Sequence, residues 1–158
     1  MVIPLLSLGG SKGSDKRVTE ILKNYWDFLR ENRSFPPEKE VQPKAIEKIW
    51  DNCFIVEANN LSRKEDYKYK YIGPKIITAY GQDLTGLTVE NMASPEAGHL
   101  AEEYEKVLAI KRPVFDEGEF KTQDKKLIKY RQILLPLGEN GISITAILGG
   151  MSYKVFDK

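Results

Sequence analysis

The chain has 158 residues and a mass of 18.0 kDa, the size of one domain with a single substantial core. Its 24 Lys+Arg and 23 Asp+Glu nearly cancel, so no overall field argues for nucleic acid or an anionic membrane, and a composition 41% hydrophobic and 30% charged is that of a globular protein. A single cysteine, Cys53, excludes an internal disulfide and a cysteine-rich metal site and fits a reducing compartment, so the expected location is the cytoplasm.

The opening "MVIPLLSLGG" is too short to span a bilayer and lacks a basic flank and a cleavage site. Residues 1–14 read as a flexible segment ending in "GGSKGS". A helix over 15–33 follows, with Asp15 as its cap. Val18, Ile21, Leu22, Tyr25, Trp26 and Leu29 form its apolar stripe at helical spacing. The stripe needs a cover, either the chain's own core or a second copy. The expectation is a homodimer through Ile21, Leu22, Tyr25, Trp26 and Leu29.

Residues 40–155 read as the compact domain. Adjacent prolines in "SFPPEKEVQP" break the first helix, and Pro43 opens a short one running to Trp50. "CFIVEA", Cys53 to Ala58, is a strand apolar on both faces, and "NNLSRKED" is the turn after it. Tyr67 to Ile72 is the next strand; alternation places Tyr67, Tyr69 and Tyr71 on one side and Lys68 and Lys70 on the other. Gly73-Pro74 then starts a helix with Ile76, Ile77 and Tyr80 on its apolar face, closed by Gly81 in a left-handed conformation. In "GQDLTG" Leu84 is a plug, with Asp83 and Thr85 available to cap backbone amides. A very short helix fits Val89 to Met92. Ser94-Pro95-Glu96 starts a longer one, which runs to Ile110 with Leu100, Tyr104, Val107 and Leu108 on one face. Val114 to Thr122, Leu127 to Leu137 and Ile142 to Tyr153 are strands joined by short turns, so they pair antiparallel. The order implies an α+β fold: a five-stranded antiparallel sheet with helices on one face and an extra N-terminal amphipathic helix.

These residues resemble the PAS domain, a small sensory module, and in particular a bacterial stand-alone subfamily. The likeness rests on Tyr25-Trp26, Pro43 to Trp50, Tyr69-Lys70-Tyr71-Ile72-Gly73, Gly81 to Gly86, Arg112-Pro113, Leu134 to Leu137 and the final "GISITAILGG", and covers roughly residues 20 to 152. Lys70 stands where arginine is common, and Pro74 replaces a small polar residue. The resemblance implies a cup between the sheet's inner face and the helices, used for a small ligand or cofactor, with dimers formed through outer faces or the first helix. Tyr69, Tyr71, Ile77, Tyr80, Leu84, Tyr104, Leu108 and Tyr130 are the expected lining.

No catalytic set emerges. His99 is the sole histidine and lies off the apolar stripe, beside Glu102 and Glu103, which reads as an exposed helix residue. Haem through His99 is therefore not expected. Cys53 begins a strand and lies outside the "NCRFLQ" type of signature, so a covalent flavin is not expected either; it reads as a buried structural thiol. No metal ligand set is expected, since the acids of "DEGE", Asp116 to Glu119, fit a turn or a bulge around Gly118. Lys121, Lys125, Lys126, Lys129 and Arg131 read as a solvated strand end, with Arg131 opposite an inward Tyr130. The expected function is a non-catalytic sensor binding a small molecule or a signalling protein. The alternatives are a small enzyme of the cone-shaped isomerase type, with Glu57 as its inward acid, or a purely structural dimerisation adaptor.

Overall fold

The computed structural model describes residues 14–59, 63, 66–92 and 96–157. The expected joint before Ser14 and the Ser94-Pro95 helix start fall outside what is described, as does most of the turn after the first strand. The first helix begins at Ser14, so Asp15, expected as its cap, lies within its first turn instead. In chain order the elements are α1 (Ser14–Arg30), α2 (Glu47–Trp50), β1 (Cys53–Glu57), β2 (Tyr69–Ile72), α3 (Pro74–Tyr80), α4 (Glu96–Ile110), β3 (Val114–Lys121), β4 (Leu127–Glu139) and β5 (Ser143–Phe156). Single turns of 3₁₀ helix cover Glu38–Glu40, Pro43–Ile46 and Val89–Asn91. The strands form one antiparallel sheet in the order β2-β1-β5-β4-β3. Among the described residues no helix is long and apolar enough to cross a membrane.

The sheet separates two apolar layers. Its inner face carries Phe54, Val56, Tyr69, Val114, Tyr130, Leu134, Ile147 and Met151, roofed by Ile76, Leu84, Val89, Leu100, Tyr104 and Val107. Its outer face carries Cys53, Ile55, Ile133, Leu135, Leu137, Ala146 and Leu148. Here α1 lies across β4 and β5. Ile21, Leu22, Tyr25 and Trp26 are buried against that face within the same chain, with Leu29 packed at its margin. This corrects the expected dimer contact: the apolar stripe is already covered, because β4 and β5 present an equally apolar face to it. The indole Nε1 of Trp26 donates to the Pro136 carbonyl at 2.8 Å. Lys23 and Arg30 flank the Trp26 ring at 5.9 and 5.4 Å from its centre. The Gln42 amide donates to the Tyr25 hydroxyl at 2.6 Å, tying the chain after α1 to the helix.

Both ends of α3 follow local chemistry. Pro74 occupies its first turn, and Gly81 closes it at φ 71° while its amide donates to Ile77 O at 2.8 Å. The loop beyond then serves the sheet. Leu84 is fully buried, and the Asp83 carboxylate accepts from the Thr85 amide at 2.9 Å. The segment runs back along β2: Gly86 N donates to Tyr69 O, Tyr69 N to Leu87 O and Val89 N to Tyr67 O, at 2.8 to 3.0 Å. The free edge of β2 is therefore paired by a loop.

Around Gly118 there is neither turn nor bulge. β3 pairs in unbroken register with β4, Gly118 opposite Tyr130. A Cβ at Gly118 would stand 2.8 Å from the Tyr130 hydroxyl, so the glycine makes room for that ring.

Candidate functional site

The roofed inner face is where the chain gathers its aromatic rings. The Tyr69 and Tyr104 hydroxyls lie 2.8 Å apart and share a hydrogen bond. Phe54 meets Tyr69 edge-on at 5.9 Å between ring centres, and Tyr67 lies 5.3 Å from Tyr104. Toward the other end, Tyr80, Phe120 and Tyr130 form a chain of tilted rings at 5.7 and 6.0 Å. Ile77, Tyr80 and Leu108 are partly buried at the margin of this layer, Leu108 also touching the outer one. Such contacts give apolar area with a few orienting hydroxyls, the composition of a small-molecule site.

Tyr71 does not belong with them. Val56 pairs with Tyr69 while Ile55 pairs with Tyr71, so Lys70 is an extra residue on β2 and the alternation reverses there. Tyr71 consequently points to the outer layer, stacks on Trp50 at 4.5 Å and donates to the Trp50 carbonyl at 3.0 Å. Lys70, expelled to the surface, pairs with Glu38 at 2.6 Å. Glu57, the inward acid that an isomerase reading requires, is exposed on the outer side. Cys53 is fully buried beneath α1, on the opposite face from the roof, and its thiol donates to Ile49 O at 3.3 Å.

His99 is not a free surface histidine. Its Nε2 stands 3.1 Å from both carboxylate oxygens of Asp116, which the regular β3 ladder turns inward. Tyr130 and Gln132, neighbours on β4, donate to the same Asp116 oxygen at 3.1 and 2.8 Å. Glu103, one helical turn beyond His99, is buried and accepts from Lys106 at 2.7 Å. Glu103, Asp116 and Gln132 were not singled out from the sequence as a site. The i, i+4 spacing of His99 and Glu103 was a visible signal; their meeting with β3 was not.

Burial raises the pKa of these tyrosines, disfavouring the charged phenolate. Tyr67 and Tyr71 are each pushed up to about 12 by loss of water, and Tyr69 and Tyr104 are raised for the same reason. The buried Cys53 thiol is raised too. In the unfolded chain the thiol ionises near about 8.5 and the phenols near about 10. The unfolded state then releases protons that the folded state keeps, so stability is complete below those values and falls as pH rises through 10 toward 12 and beyond. The urea midpoint at about pH 11 is expected to lie clearly below that at about pH 8. Equal midpoints would show these groups to be solvated.

The sequence matches the model of a PAS domain over residues 14–152. Among solved structures, a Light-Oxygen-Voltage domain studied with a flavin analogue is 16% identical, covers 70% of this chain and 82% of its own, and has a TM-score of 0.53. The dark structure of the blue-light photoreceptor Aureochrome1 LOV gives 16%, 70% and 80%, with a TM-score of 0.52. Its light state gives 15%, 72% and 89%, with a TM-score of 0.51. Identities this low speak for the fold alone. No curated protein matches the chain. The family match takes in α1 as well as the whole of β1 to β4, and the sheet and its roof have the architecture of those solved domains: the chain belongs to the PAS domain family.

Proposed function

We propose that this PAS domain is a sensory module that holds a small, largely apolar molecule with one polar group on the roofed face of its sheet, and signals by association without catalysis. PAS domains are in general sensory, ligand-binding and non-enzymatic modules. One observation carries the ligand reading to this chain. The Tyr67 hydroxyl is fully buried among the inner-face aromatics and has no hydrogen-bond partner among the described residues. An orphaned buried hydroxyl costs about 1–3 kcal/mol, which a bound acceptor or donor would recover. The ligand would lie against Tyr67, Tyr69 and Tyr104. Flavin-adduct chemistry of a cysteine is not part of the proposal, since Cys53 lies on the other face of the sheet. Self-association is part of it, by a surface other than the α1 stripe, and so is a signalling partner in the cytoplasm.

The test is native mass spectrometry on protein purified from cells, with Tyr67→Phe beside it. A non-covalent adduct on the wild type, weakened about tenfold or more in the variant, is the expected result. A bare 18.0 kDa species, with no thermal shift across a metabolite panel, would count against a ligand. Light scattering settles association separately: a mass near twice 18.0 kDa supports it, and a monomer at high concentration removes it.

A further inference from the structure

The polar cluster between α4 and β3 borders the aromatic layer at Tyr130, which donates to Asp116, and is built unlike a surface salt link. A His99 ring nitrogen, a Glu103 oxygen and an Asp116 oxygen all lie within 4.8 Å of one another. The two carboxylate side chains are only 6% and 7% exposed. Burying two carboxylates side by side is costly unless a cation compensates them. The cation present on Glu103 is Lys106, whose side chain is 61% exposed and free to swing away. Beside them Gln132, itself 1% exposed, donates its amide N–H to Asp116 at 2.8 Å and leaves its Oε1 buried without a partner among the described residues. A half-turn of that carboxamide exchanges nitrogen for oxygen and sets a carbonyl acceptor toward the same point.

From this arrangement we infer a binding site for a first-row divalent cation of the zinc type. Its ligands are His99 and Glu103 from adjacent turns of α4 and Asp116 from β3, with Gln132 Oε1 as the fourth donor. The chemistry of the set agrees. One imidazole and three oxygens suit zinc or manganese, whereas magnesium prefers oxygen alone. The size agrees as well. A tetrahedral zinc site with bonds of about 2.1 Å has ligand-to-ligand edges of about 3.4 Å. The His99–Asp116 edge is 3.1 Å, and His99, Glu103 and Asp116 close within 4.8 Å of one another, so rotamer adjustments bring these three to the cation and no strand has to move. Bound metal replaces the His99–Asp116, Gln132–Asp116 and Lys106–Glu103 contacts and pins the roof helix to the edge strand. The site does not depend on whether the aromatic layer holds a ligand.

The experiment uses the full chain without an affinity tag, stripped with chelator and titrated with zinc alone. His99 is the only histidine, so its imidazole proton resonances report the site without ambiguity. The expected result is saturable 1:1 binding below about 10 µM, shifted or broadened His99 resonances and a raised Tm, with no response to magnesium at the same concentration. His99→Ala, at a half-exposed position, and the near-isosteric Glu103→Gln should each weaken zinc at least about tenfold. The Tm of metal-free His99→Ala should stay within a few degrees of wild type, which keeps the result readable as binding rather than folding. The inference is overturned if zinc leaves the His99 resonances in place, if no 1:1 complex forms, or if His99→Ala binds zinc as tightly as the wild type.

Discussion

Replacing Trp26 with alanine is expected to lower the unfolding free energy by about 3–5 kcal/mol, the range for deleting a buried large aromatic. In a domain of this size that corresponds to a fall in Tm of roughly 6–20 °C. Trp26 is buried between α1 and the outer face of the sheet, and its indole N–H is spent on the Pro136 carbonyl. Alanine forfeits the area, opens a cavity and leaves that carbonyl without its donor. Trp26→Phe keeps most of the area and should lose only about 1–2 kcal/mol. Denaturant melts of the two variants separate packing from the hydrogen bond. A loss below about 1 kcal/mol for alanine would mean that α1 is not docked on the sheet in solution. The same geometry reverses a sequence expectation. Cutting the chain before residue 34 should not turn a dimer into a monomer. It should uncover Ile133, Leu135, Leu137 and Leu148 and drive the remainder to aggregate.

Gly149→Ala is the second large effect, and it acts on the opposite face of the same sheet. A Cβ at Gly149 would stand 2.1 Å from Phe54 Cζ and within 2.5 Å of two further ring atoms. Phe54 cannot easily yield, because Tyr69 and Tyr104 stand against it at 5.9 and 6.3 Å. Overpacking of this kind costs about 1–3 kcal/mol, and Gly149→Val should exceed it. The double variant Gly149→Ala with Phe54→Leu should lose less than the sum of the two single changes, since a smaller neighbour admits the new methyl group. Unchanged stability in Gly149→Ala would place the Phe54 ring elsewhere. Gly150 plays the matching part on the outer face, where a Cβ would come within 2.7 Å of Leu22. The glycine pair therefore lets one ring and one helix approach β5 from its two sides.

Local chemistry alone was sufficient for the elements. The α1 stripe, Pro74 and Gly81 at the ends of α3, the buried Leu84 plug and the three closing strands were all legible, because each depends on spacing or on backbone preferences within a few residues. The order and antiparallel pairing of β3, β4 and β5 followed from turns too short for any other connection.

What local chemistry left open, contacts between distant segments decided. An amphipathic helix advertises a face but not its cover; the sheet's second apolar face took α1, and the stripe was lost to any partner. Strand alternation placed Tyr71 beside Tyr69, but the extra residue at Lys70 exists only in the pairing of β2 with β1, and it sent the two rings to opposite layers. His99 looked idle on its own helix because Asp116, its partner, comes from the next element and is turned inward by the register of β3 against β4. Spacing within a segment is written in the order of residues; which segment lies against which follows from the burial of the whole chain.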